Sequence, residues 1–343
     1  MQVPCVRVER EAGEQTRRRL DAADLVDRSA EIVVEEGWLY VPVTDPGAVP
    51  GEYEVVEREV PARETPTTPD DLLGFEPSYE RLGDIVVLHE DDAERAREVA
   101  AAVMDSDVRA KTVVNRASKV KGEERVRDWE VLAGDGTETV HREYGHEFLV
   151  DIARVYFSPR LATERHRVVE QVRAGERAFD MFAGVGPFVV PFASAGATAV
   201  GTDVNEAAVD YLVENARRNG HAVRRGAAGE VAPGGDDPPV TAVHGDVREA
   251  AVPYEGWADR VVMNLPHSAD EFLDAAVALA ADECVVHYYD IQHEDDPFGP
   301  GEAAVRAAAG DRYDATVRNR RVVRSYAPHE LNVALDVELS RRP

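Results

Sequence analysis

The chain has 343 residues and a formal net charge of −27, with 39 basic residues against 66 acidic ones. Its two cysteines, Cys5 and Cys284, lie far apart, which argues against a disulfide framework and against a cysteine metal cluster. No run reaches the roughly 18 apolar residues of a membrane helix and no basic-then-apolar leader opens the chain, so we expect a soluble, cytoplasmic protein. All basic residues except three lysines are arginines, and this acidic, lysine-poor composition is typical of a protein that works in concentrated salt.

The sequence predicts three domains and one linker. Residues 1–61 have the pattern of a small α+β domain. Residues 62–74 are rich in proline, threonine and charge, which is typical of a linker. Residues 75–153 form a second, middle α+β domain, and residues 154–343 alternate strands with helices. A docking role and a purely structural role are equally compatible with the first domain.

Apolar patterning and turn residues predict the elements of the first two domains. In the first domain we expect a strand at Cys5 to Val8, a helix from Glu14 to Ala23, and extended segments from Glu31 to Val43 and from Tyr53 to Val60. In the middle domain we expect a strand at Ile85 to Leu88, a helix from Asp91 to about Met104, a strand at Thr112 to Asn115, and extended segments through Trp129, Thr139 and Phe148.

The middle domain carries a basic cluster between Arg109 and Arg127. Seven arginines and lysines lie there against two glutamates, and all three lysines of the chain are among them. A solvated charged face would account for such a cluster. In a chain that is otherwise strongly acidic, a polyanionic partner accounts for it better, because arginine and lysine side chains hold phosphates. We therefore expect this segment to contact RNA or DNA.

The segment from Tyr156 to Arg167 precedes a predicted helix through Val168 and Val172. Ser158 or Thr163 could cap that helix, with Glu164 favourable in its first turn. Alternatively, the segment places a carboxylate and a guanidinium in the cleft of the following domain.

A short apolar run from Ala178 breaks at Gly184 and Gly186, which predicts a strand that opens into a tight turn. Glycine lets a ligand approach the backbone, and the next helix would offer N–H groups to it. Alternating strands and helices follow, which predicts a mostly parallel, doubly wound sheet. Asn205 is expected to cap the helix from Glu206 to Asn219.

The remaining segments complete this series. The low-complexity stretch from Gly226 to Pro239 is expected to be a mobile surface loop. Ser268 and Glu271 have the spacing of a capping box. Further strands are expected at Ala197 to Thr202, Thr241 to Val243, Arg260 to Met263, Cys284 to Tyr289, Arg318 to Arg324 and Leu331 to Leu339.

Four predicted strand ends carry polar or glycine-rich signals: Asp180 to Gly186, Asp203, Asp246 and Asn264. Ligands of doubly wound sheets bind beyond such ends. An acidic residue after the second strand suits the ribose of a nicotinamide dinucleotide or of S-adenosylmethionine, but the dinucleotide fingerprint requires a third glycine where this chain has Val189. A methyltransferase-type site is therefore favoured. The Asn264-Leu-Pro-His turn could present its amide and carbonyl groups to a nitrogen about to be methylated.

Five motifs together resemble the archaeal tRNA (guanine-37 N1)-methyltransferase family. They are VYFSPRLATER at 155–165, DMFAGVGPF at 180–188, MNLPH at 263–267, HYY at 287–289 and RSYAP at 324–328. The resemblance covers about residues 75–343 and extends more loosely to the first domain. It implies an α/β, Rossmann-like class I methyltransferase domain preceded by two smaller α+β domains.

The resemblance also implies methyl transfer from S-adenosylmethionine to N1 of guanine 37 in tRNA. Glu164 would be the general base, and Arg125 would stabilise negative charge on O6, with Arg127 as the competing assignment. The residues expected around the target base are Tyr156, Asn264 and Pro266. The residues expected to bind the cofactor are Arg165, Asp180, Ala183, Gly184, Gly186, Asp203, Asp246, Val247 and Asn264. We expect a monomer, without a metal, that binds tRNA at the anticodon stem-loop, and a contact of the first domain with the tRNA elbow stays open.

Two other functions remain compatible with the sequence. A related transferase could move the aminocarboxypropyl arm of the same cofactor to a modified tRNA guanine. A catalytically inactive RNA-binding protein could retain the cofactor fold, although Glu164 and Asn264 argue against it.

Overall fold

The computed structural model describes residues 1–64, 66–117 and 127–343. The chain divides into two compact units, Met1–Gly74 and Phe75–Pro343. Part of the basic cluster, including Arg125, lies outside the described residues. The three-domain division stays a prediction.

The first unit contains an antiparallel sheet of four strands among its described residues, in the order β2-β3-β1-β4. The extended segment expected from Glu31 to Val43 is instead a hairpin, because Glu36 and Gly37 take positive φ values and reverse the chain. The expected linker contains a short helix, which begins with a capping box between Thr68 and Asp71. The elements are β1 Gln2–Glu9, α1 Gly13–Ala22, β2 Val33–Glu35, β3 Trp38–Pro42, β4 Glu54–Glu59 and α2 Pro69–Leu73.

The second unit begins with a small mixed sheet, β5-β6-β7-β8, and a separate hairpin of β9 and β10. Here α3 connects the parallel strands β6 and β7. Its N-cap is Asp92, whose side chain accepts from the backbone N–H groups of Glu94 and Arg95. The elements are β5 Tyr79–Leu82, β6 Ile85–Leu88, α3 Ala93–Asp105, β7 Thr112–Arg116, β8 Trp129–Gly134, β9 Glu138–Glu143 and β10 His146–Asp151. Strand β5 was not expected from the sequence.

The rest of the second unit forms a large sheet, which has eight strands in the described part of the chain, in the order β13-β14-β12-β11-β15-β16-β18-β17. The strands from β13 to β16 run parallel, and β18 is antiparallel to both of its neighbours. This confirms the Rossmann-like α/β class. The strand order reverses at β11, so the crevice between the ends of β11, β12 and β15 is the expected ligand position.

The elements of this part are α4 Ala162–Val169, β11 Arg177–Asp180, α5 Val189–Ser194, β12 Thr198–Asp203, α6 Glu206–Arg218, β13 Val223–Ala227, β14 Val240–His244, α7 Val247–Ala250, β15 Ala258–Met263, α8 Leu273–Leu279, β16 Ala280–His293, α9 Gly299–Ala309, β17 Tyr313–Ala327 and β18 Glu330–Arg341. Two apolar layers cover the sheet, one beneath α4, α5 and α6 and the other beneath α7, α8 and α9.

Three local predictions are wrong in detail. The predicted loop from Gly226 overlaps strand β13, which pairs with β14 at the sheet edge. Neither Ser158 nor Thr163 caps α4, because a 3₁₀ turn at Pro159–Leu161 leads directly into it. The capping box at Ser268 does not form, because Ala269–Phe272 is also 3₁₀ and the backbone carbonyl of Ser268 accepts from the N–H of Glu271.

Candidate active site

The turn after β11 is the feature around which the site is built. Gly184 and Gly186 have φ values of +53° and +88°, in the left-handed region that favours glycine. A Cβ on Gly186 would lie 2.3 Å from Cδ1 of Leu212, so α6 packs tightly against the turn. Among the described residues, a Cβ on Gly184 would meet only the carbonyl oxygen of Tyr156, at 3.8 Å. The side of the turn that faces Tyr156 therefore has room for a ligand.

Asp203, at the end of β12, is fixed beside this turn. Its Oδ2 accepts from the backbone N–H of Gly184 at 2.8 Å, and its Oδ1 accepts from the N–H of Asn205 at 2.9 Å. Asn205 caps α6 as expected, and the N–H of Ala183 donates to the carbonyl of Thr202 at 2.8 Å. The ends of β11 and β12 therefore meet at one place, as the sequence predicted.

The end of β14 contributes Asp246 and Val247. Asp246 caps α7 by accepting from the backbone N–H of Arg248 at 2.8 Å, and the guanidinium of Arg248 lowers the pKa of the Asp246 carboxyl. The side chain of Val247 is buried in the apolar core. The N–H of Gly245 donates to the carbonyl of Asp203 at 3.0 Å, which joins this strand end to its neighbour. Contacts of Asp246 and Val247 with the cofactor stay predictions.

Asp180 ends β11 and is buried. Its Oδ1 accepts from the backbone N–H of Phe182 at 3.2 Å, whereas its Oδ2 is buried without a hydrogen-bond partner in the described part of the chain. Burial, with a further contribution from Asp203, raises the pKa of Asp180 to about 7. An unpartnered carboxylate oxygen at a strand end fits a ligand that donates a hydrogen bond.

The Asn264-Leu-Pro-His loop follows β15 at the same edge of the sheet. Asn264 is half-buried and comes directly after Met263, whose register partner on β16 is Tyr288. The carbonyl oxygen of Pro266 accepts from the backbone N–H of Ile291 at 3.1 Å. The loop is therefore tied to β16, next to the HYY motif.

Glu164 lies in the first turn of α4 and is only 4% exposed. Arg167 donates to both of its carboxylate oxygens, from Nε to Oε2 at 2.9 Å and from Nη2 to Oε1 at 2.7 Å. The hydroxyl of Tyr289 donates to Oε1 at 3.0 Å, and Nε of Arg321 lies 3.2 Å from Oε2. The ring of Tyr289 lies 6.4 Å from that of Phe188, which follows the glycine turn. Tyr289 thus joins Glu164 to the turn.

Arg165, the neighbour of Glu164, is buried and engaged with protein groups. Its Nε and Nη2 donate to the two carboxylate oxygens of Glu143 at 2.8 and 2.5 Å. Nη1 and Nη2 also donate to the carbonyl of Ser158 at 3.1 Å, and the guanidinium lies over the ring of Phe157. In this structure Arg165 holds the YFSPR segment in place, and its contact with the cofactor stays a prediction.

Tyr156 leads from the turn towards the basic residues of the middle sheet. Arg127 lies over the ring of Trp129, with 5.4 Å from its Cζ to the ring centroid. Burial lowers the pKa of Arg127, and the neighbouring phenol of Tyr156 opposes this. Close by, Oε1 of Glu80 accepts from Arg116 at 3.0 Å and forms an ion pair with Arg160. Arg125 lies outside the described residues.

The sequence did not reveal the residues that fix Arg167, the main hydrogen-bond donor to Glu164. Arg167 donates from Nη1 and Nη2 to the two carboxylate oxygens of Asp336 at 2.5 and 3.0 Å. Nδ1 of His287 lies 2.7 Å from Asp336, and Nη1 of Arg260 lies 2.7 Å from Nε2 of His287. Because arginine only donates, Nε2 of His287 accepts and its Nδ1 donates to Asp336. Arg167 and Asp336 are 169 positions apart, and no local pattern connects them.

The described residues bring together a glycine turn, three polar strand ends, and a buried carboxylate surrounded by donors. They contain no group of three or more histidine, cysteine or acidic side chains that could hold a metal ion. None of their helices is long and apolar enough to cross a membrane. The arrangement suits transfer of a group between a bound cofactor and an acceptor that must lose a proton.

Three family models match successive parts of the chain. The TRM5/TYW2 methyltransferase domain matches residues 139–309, the TYW2 N-terminal domain matches residues 66–137, and the tRNA methyltransferase 5 N-terminal domain matches residues 5–48.

Whole-chain relatives agree with these matches. The tRNA (guanine(37)-N(1))-methyltransferase Trm5b of Pyrococcus abyssi is 37% identical over 98% of both chains, and its crystal structure superimposes with a TM-score of 0.69 over 98% of this chain and 99% of that one. A solved complex of aTrm5 with tRNALeu also has a TM-score of 0.69, at 31% identity over 98% and 99% of the two chains. The tRNA(Phe) (4-demethylwyosine(37)-C(7)) aminocarboxypropyltransferase of Pyrococcus horikoshii is 30% identical over 82% of this chain and 95% of its own length. The chain therefore belongs to the Trm5 family of archaeal, S-adenosylmethionine-dependent tRNA (guanine-37 N1)-methyltransferases.

Proposed function

We propose that this enzyme methylates N1 of guanine 37 in tRNA with Glu164 as the general base. The observation that carries this proposal is the position of Tyr289. Its hydroxyl donates to Glu164, its ring packs near Phe188 beyond the glycine turn, and its strand is tied to the Pro266 loop. The side chain of Tyr289 therefore connects the proposed base to the region of the cofactor turn, and the backbone of its strand holds the proposed target-base loop two residues further on.

The cofactor supplies, when bound, a methyl group carried on a sulfonium sulfur. Gly184 and Asp203 fit its ribose end because the turn is open there and the carboxylate is fixed beside it. The unpartnered Oδ2 of Asp180 fits a donor such as the cofactor's ammonium group. We assign Asp246, Val247, Asn264, Ala183 and Gly186 to the walls of the same cleft.

Guanine N1 carries a proton at neutral pH, so a base must remove it as the nitrogen reacts. Glu164 takes this proton at a carboxylate oxygen. Loss of the proton leaves negative charge on O6, which a cation stabilises. The family resemblance assigns this cation to Arg125. Arg127 is the described candidate, since it lies beside Tyr156 at the edge of the middle sheet.

The test is transfer of a tritiated methyl group from labelled cofactor to unmodified tRNA in concentrated salt, followed by mass mapping of the product. We expect one methyl group on guanine 37 and a single-turnover rate at least about 100-fold lower in Glu164→Gln. Glu170→Gln is the matched control, because Glu170 ends the same helix but is exposed and pairs with His166. A wild-type rate in Glu164→Gln would remove Glu164 as the base, and methylation at another nucleotide would overturn the substrate assignment.

The alternative, aminocarboxypropyl transfer, has one observation in its favour, the 30% identity to the enzyme of Pyrococcus horikoshii. The match to Trm5b covers 98% of this chain, whereas the match to that transferase covers 82%. Product mass separates the two reactions, because the aminocarboxypropyl group is much heavier than a methyl group.

A further inference from the structure

The carboxylate of Glu164 is fully occupied in the absence of substrate. Among the described residues it receives two contacts from Arg167 and one each from Tyr289 and Arg321. A carboxylate has about four lone-pair positions. If Glu164 accepts the N1 proton, as proposed above, one of these donors must leave first.

Two of the three side chains are anchored. Arg167 is held on its far side by both carboxylate oxygens of Asp336, and only 18% of its side chain is exposed. Burial raises the pKa of Asp336, but hydrogen bonds from His287 and Arg167 lower it well below its ordinary value, so the anchor stays charged. Tyr289 is buried. Withdrawing either donor would strand a buried polar or charged group, which is unfavourable.

Arg321 is different in each respect. It lies on β17, the outermost strand at one end of the eight-stranded sheet, and 45% of its side chain is exposed. It touches Glu164 through a single contact, from Nε to Oε2 at 3.2 Å. A guanidinium this exposed is hydrated when it leaves its partner, so it loses less on leaving than a buried donor does. Arg321 is therefore the donor that leaves most easily.

The hydrogen-bonding edge of guanine indicates where Arg321 goes. N1–H donates and the adjacent O6 accepts, so a carboxylate that faces N1 requires a neighbouring donor that faces O6. We propose that Arg321 covers Glu164 in the free enzyme and moves to O6 of the target guanine when the base enters, where it acts as a catalytic residue. This inference rests on the assignment of Glu164 as the base.

The exchange fits the proton and charge balance of the reaction. The N1–H bond breaks and its proton passes to the vacated position on Glu164, while N1 bonds to the methyl carbon and the bonding pair of the broken carbon–sulfur bond stays on sulfur. The negative charge that develops on O6 then faces the guanidinium of Arg321. O6 has two acceptor lone pairs, so it accommodates a middle-domain arginine as well.

The test compares single-turnover rates at saturating tRNA and cofactor. We expect Arg321→Gln to lower the rate about 10- to 100-fold, Arg321→Lys to restore part of it, and the Kd for tRNA to change less than about threefold. Arg318→Gln is the matched control, because it removes the same charge from the same strand but pairs with Glu338. It should stay within about twofold of wild type. A weaker Kd for tRNA with an unchanged rate at saturation would show a phosphate contact and overturn the proposal, as would no change in either quantity.

The same rates in a Glu164→Gln background separate the two proposals. If Glu164→Gln alone keeps the wild-type rate, the base assignment fails whatever Arg321 does. If Glu164→Gln is slow and Arg321→Gln slows it further, Arg321 acts on the substrate. If Arg321→Gln has an effect only while Glu164 is present, its role is confined to the carboxylate and the O6 contact is wrong.

Discussion

At the scale of single residues, the site contains two buried carboxylates in opposite surroundings. Glu164 is held by arginines and a tyrosine hydroxyl. Asp180 has a single backbone donor among the described residues and an unpartnered second oxygen. Cationic donors surround the first, whereas burial favours the protonated form of the second. These opposite surroundings agree with the two tasks proposed for them, proton removal by Glu164 and ligand recognition by Asp180.

The raised pKa of Asp180 predicts an unusual dependence of stability on pH. The pKa is about 7 in the folded protein and close to 3.9 in the unfolded chain, so the folded state binds more protons in between. The stability contributed by this proton uptake is fully present below about pH 4 and is lost as the pH rises towards 7. The Asp180→Asn variant has no carboxyl group at this position and so lacks this contribution to stability. We expect the free energy of unfolding of the variant, relative to wild type, to increase by on the order of 3 kcal/mol between about pH 5 and about pH 8.

Denaturant unfolding at fixed salt concentration, without cofactor, measures this difference. Parallel pH profiles for wild type and Asp180→Asn would mean that the carboxyl is not held protonated by the fold. Added cofactor should shrink the difference if Asp180 contacts its ammonium group.

At the scale of elements, the pair of Glu143 and Arg165 joins strand β9 to helix α4. Both side chains are buried, with 5% and 3% of their surfaces exposed. Burial raises the pKa of Glu143, but the hydrogen bonds from Arg165 and His141 outweigh it and lower the pKa. The pair therefore fixes the start of α4, and with it the position of Glu164.

Removing one charge of this pair should destabilise the folded protein. We expect Glu143→Gln to lower the free energy of unfolding by about 3 kcal/mol, because it leaves the charge of Arg165 buried without a counter-ion. Glu147→Gln, on the adjacent strand, removes a more exposed partner of Arg142 and should lower the free energy of unfolding much less. Equal losses in the two variants, measured by denaturant unfolding, would contradict the structural role assigned to the buried pair.

The elements themselves were largely predictable from the sequence. Apolar runs ending in glycine or polar residues marked the strands at Phe179, Val200 and Val261, and the structure confirms them. Asn205 caps α6 because its side chain competes for N–H groups locally. Helix α9, at Gly299–Ala309, was missed because glycine and proline at its start also favour turns.

The site was predictable only in part. The strand ends are local features that topology brings together, so Asp203 and the glycine turn could be paired in advance. The partners of Glu164 could not, because Arg321 and Asp336 lie on strands whose pairing depends on the whole sheet. Sequence spacing carries no information about such contacts. The motifs predicted a role for Glu164 but not the residues that contact it.

At the scale of the whole molecule, the dominant property is the net charge of −27. Repulsion among so many exposed carboxylates destabilises the compact state, and salt screens it. The Debye length falls from about 10 Å at 0.1 M to about 3 Å at 1 M. Adaptation to concentrated salt therefore stays a prediction with a direct physical test.

We expect the midpoint of thermal unfolding to rise steeply with potassium chloride between about 0.1 M and about 2 M. The control is a triple variant of α3 in which the exposed Glu94, Glu98 and Asp105 carry the corresponding amides. Because it has less negative charge to screen, its midpoint should be higher at low salt and should rise less. A midpoint that does not change with salt in either chain would contradict the halophilic interpretation.

Strand β18 lies between β16 and β17 although it follows both in the chain. It carries Asp336, which fixes Arg167 and through it Glu164. During synthesis, the glycine turn and the strand ends around Asp203 emerge and can pair long before β18 does. Insertion of β18 is the step that fixes Arg167 and, through it, Glu164, the proposed base. If Glu164 is the base, a growing chain is able to form its cofactor cleft before it is able to methylate, and catalytic competence arrives only with β18.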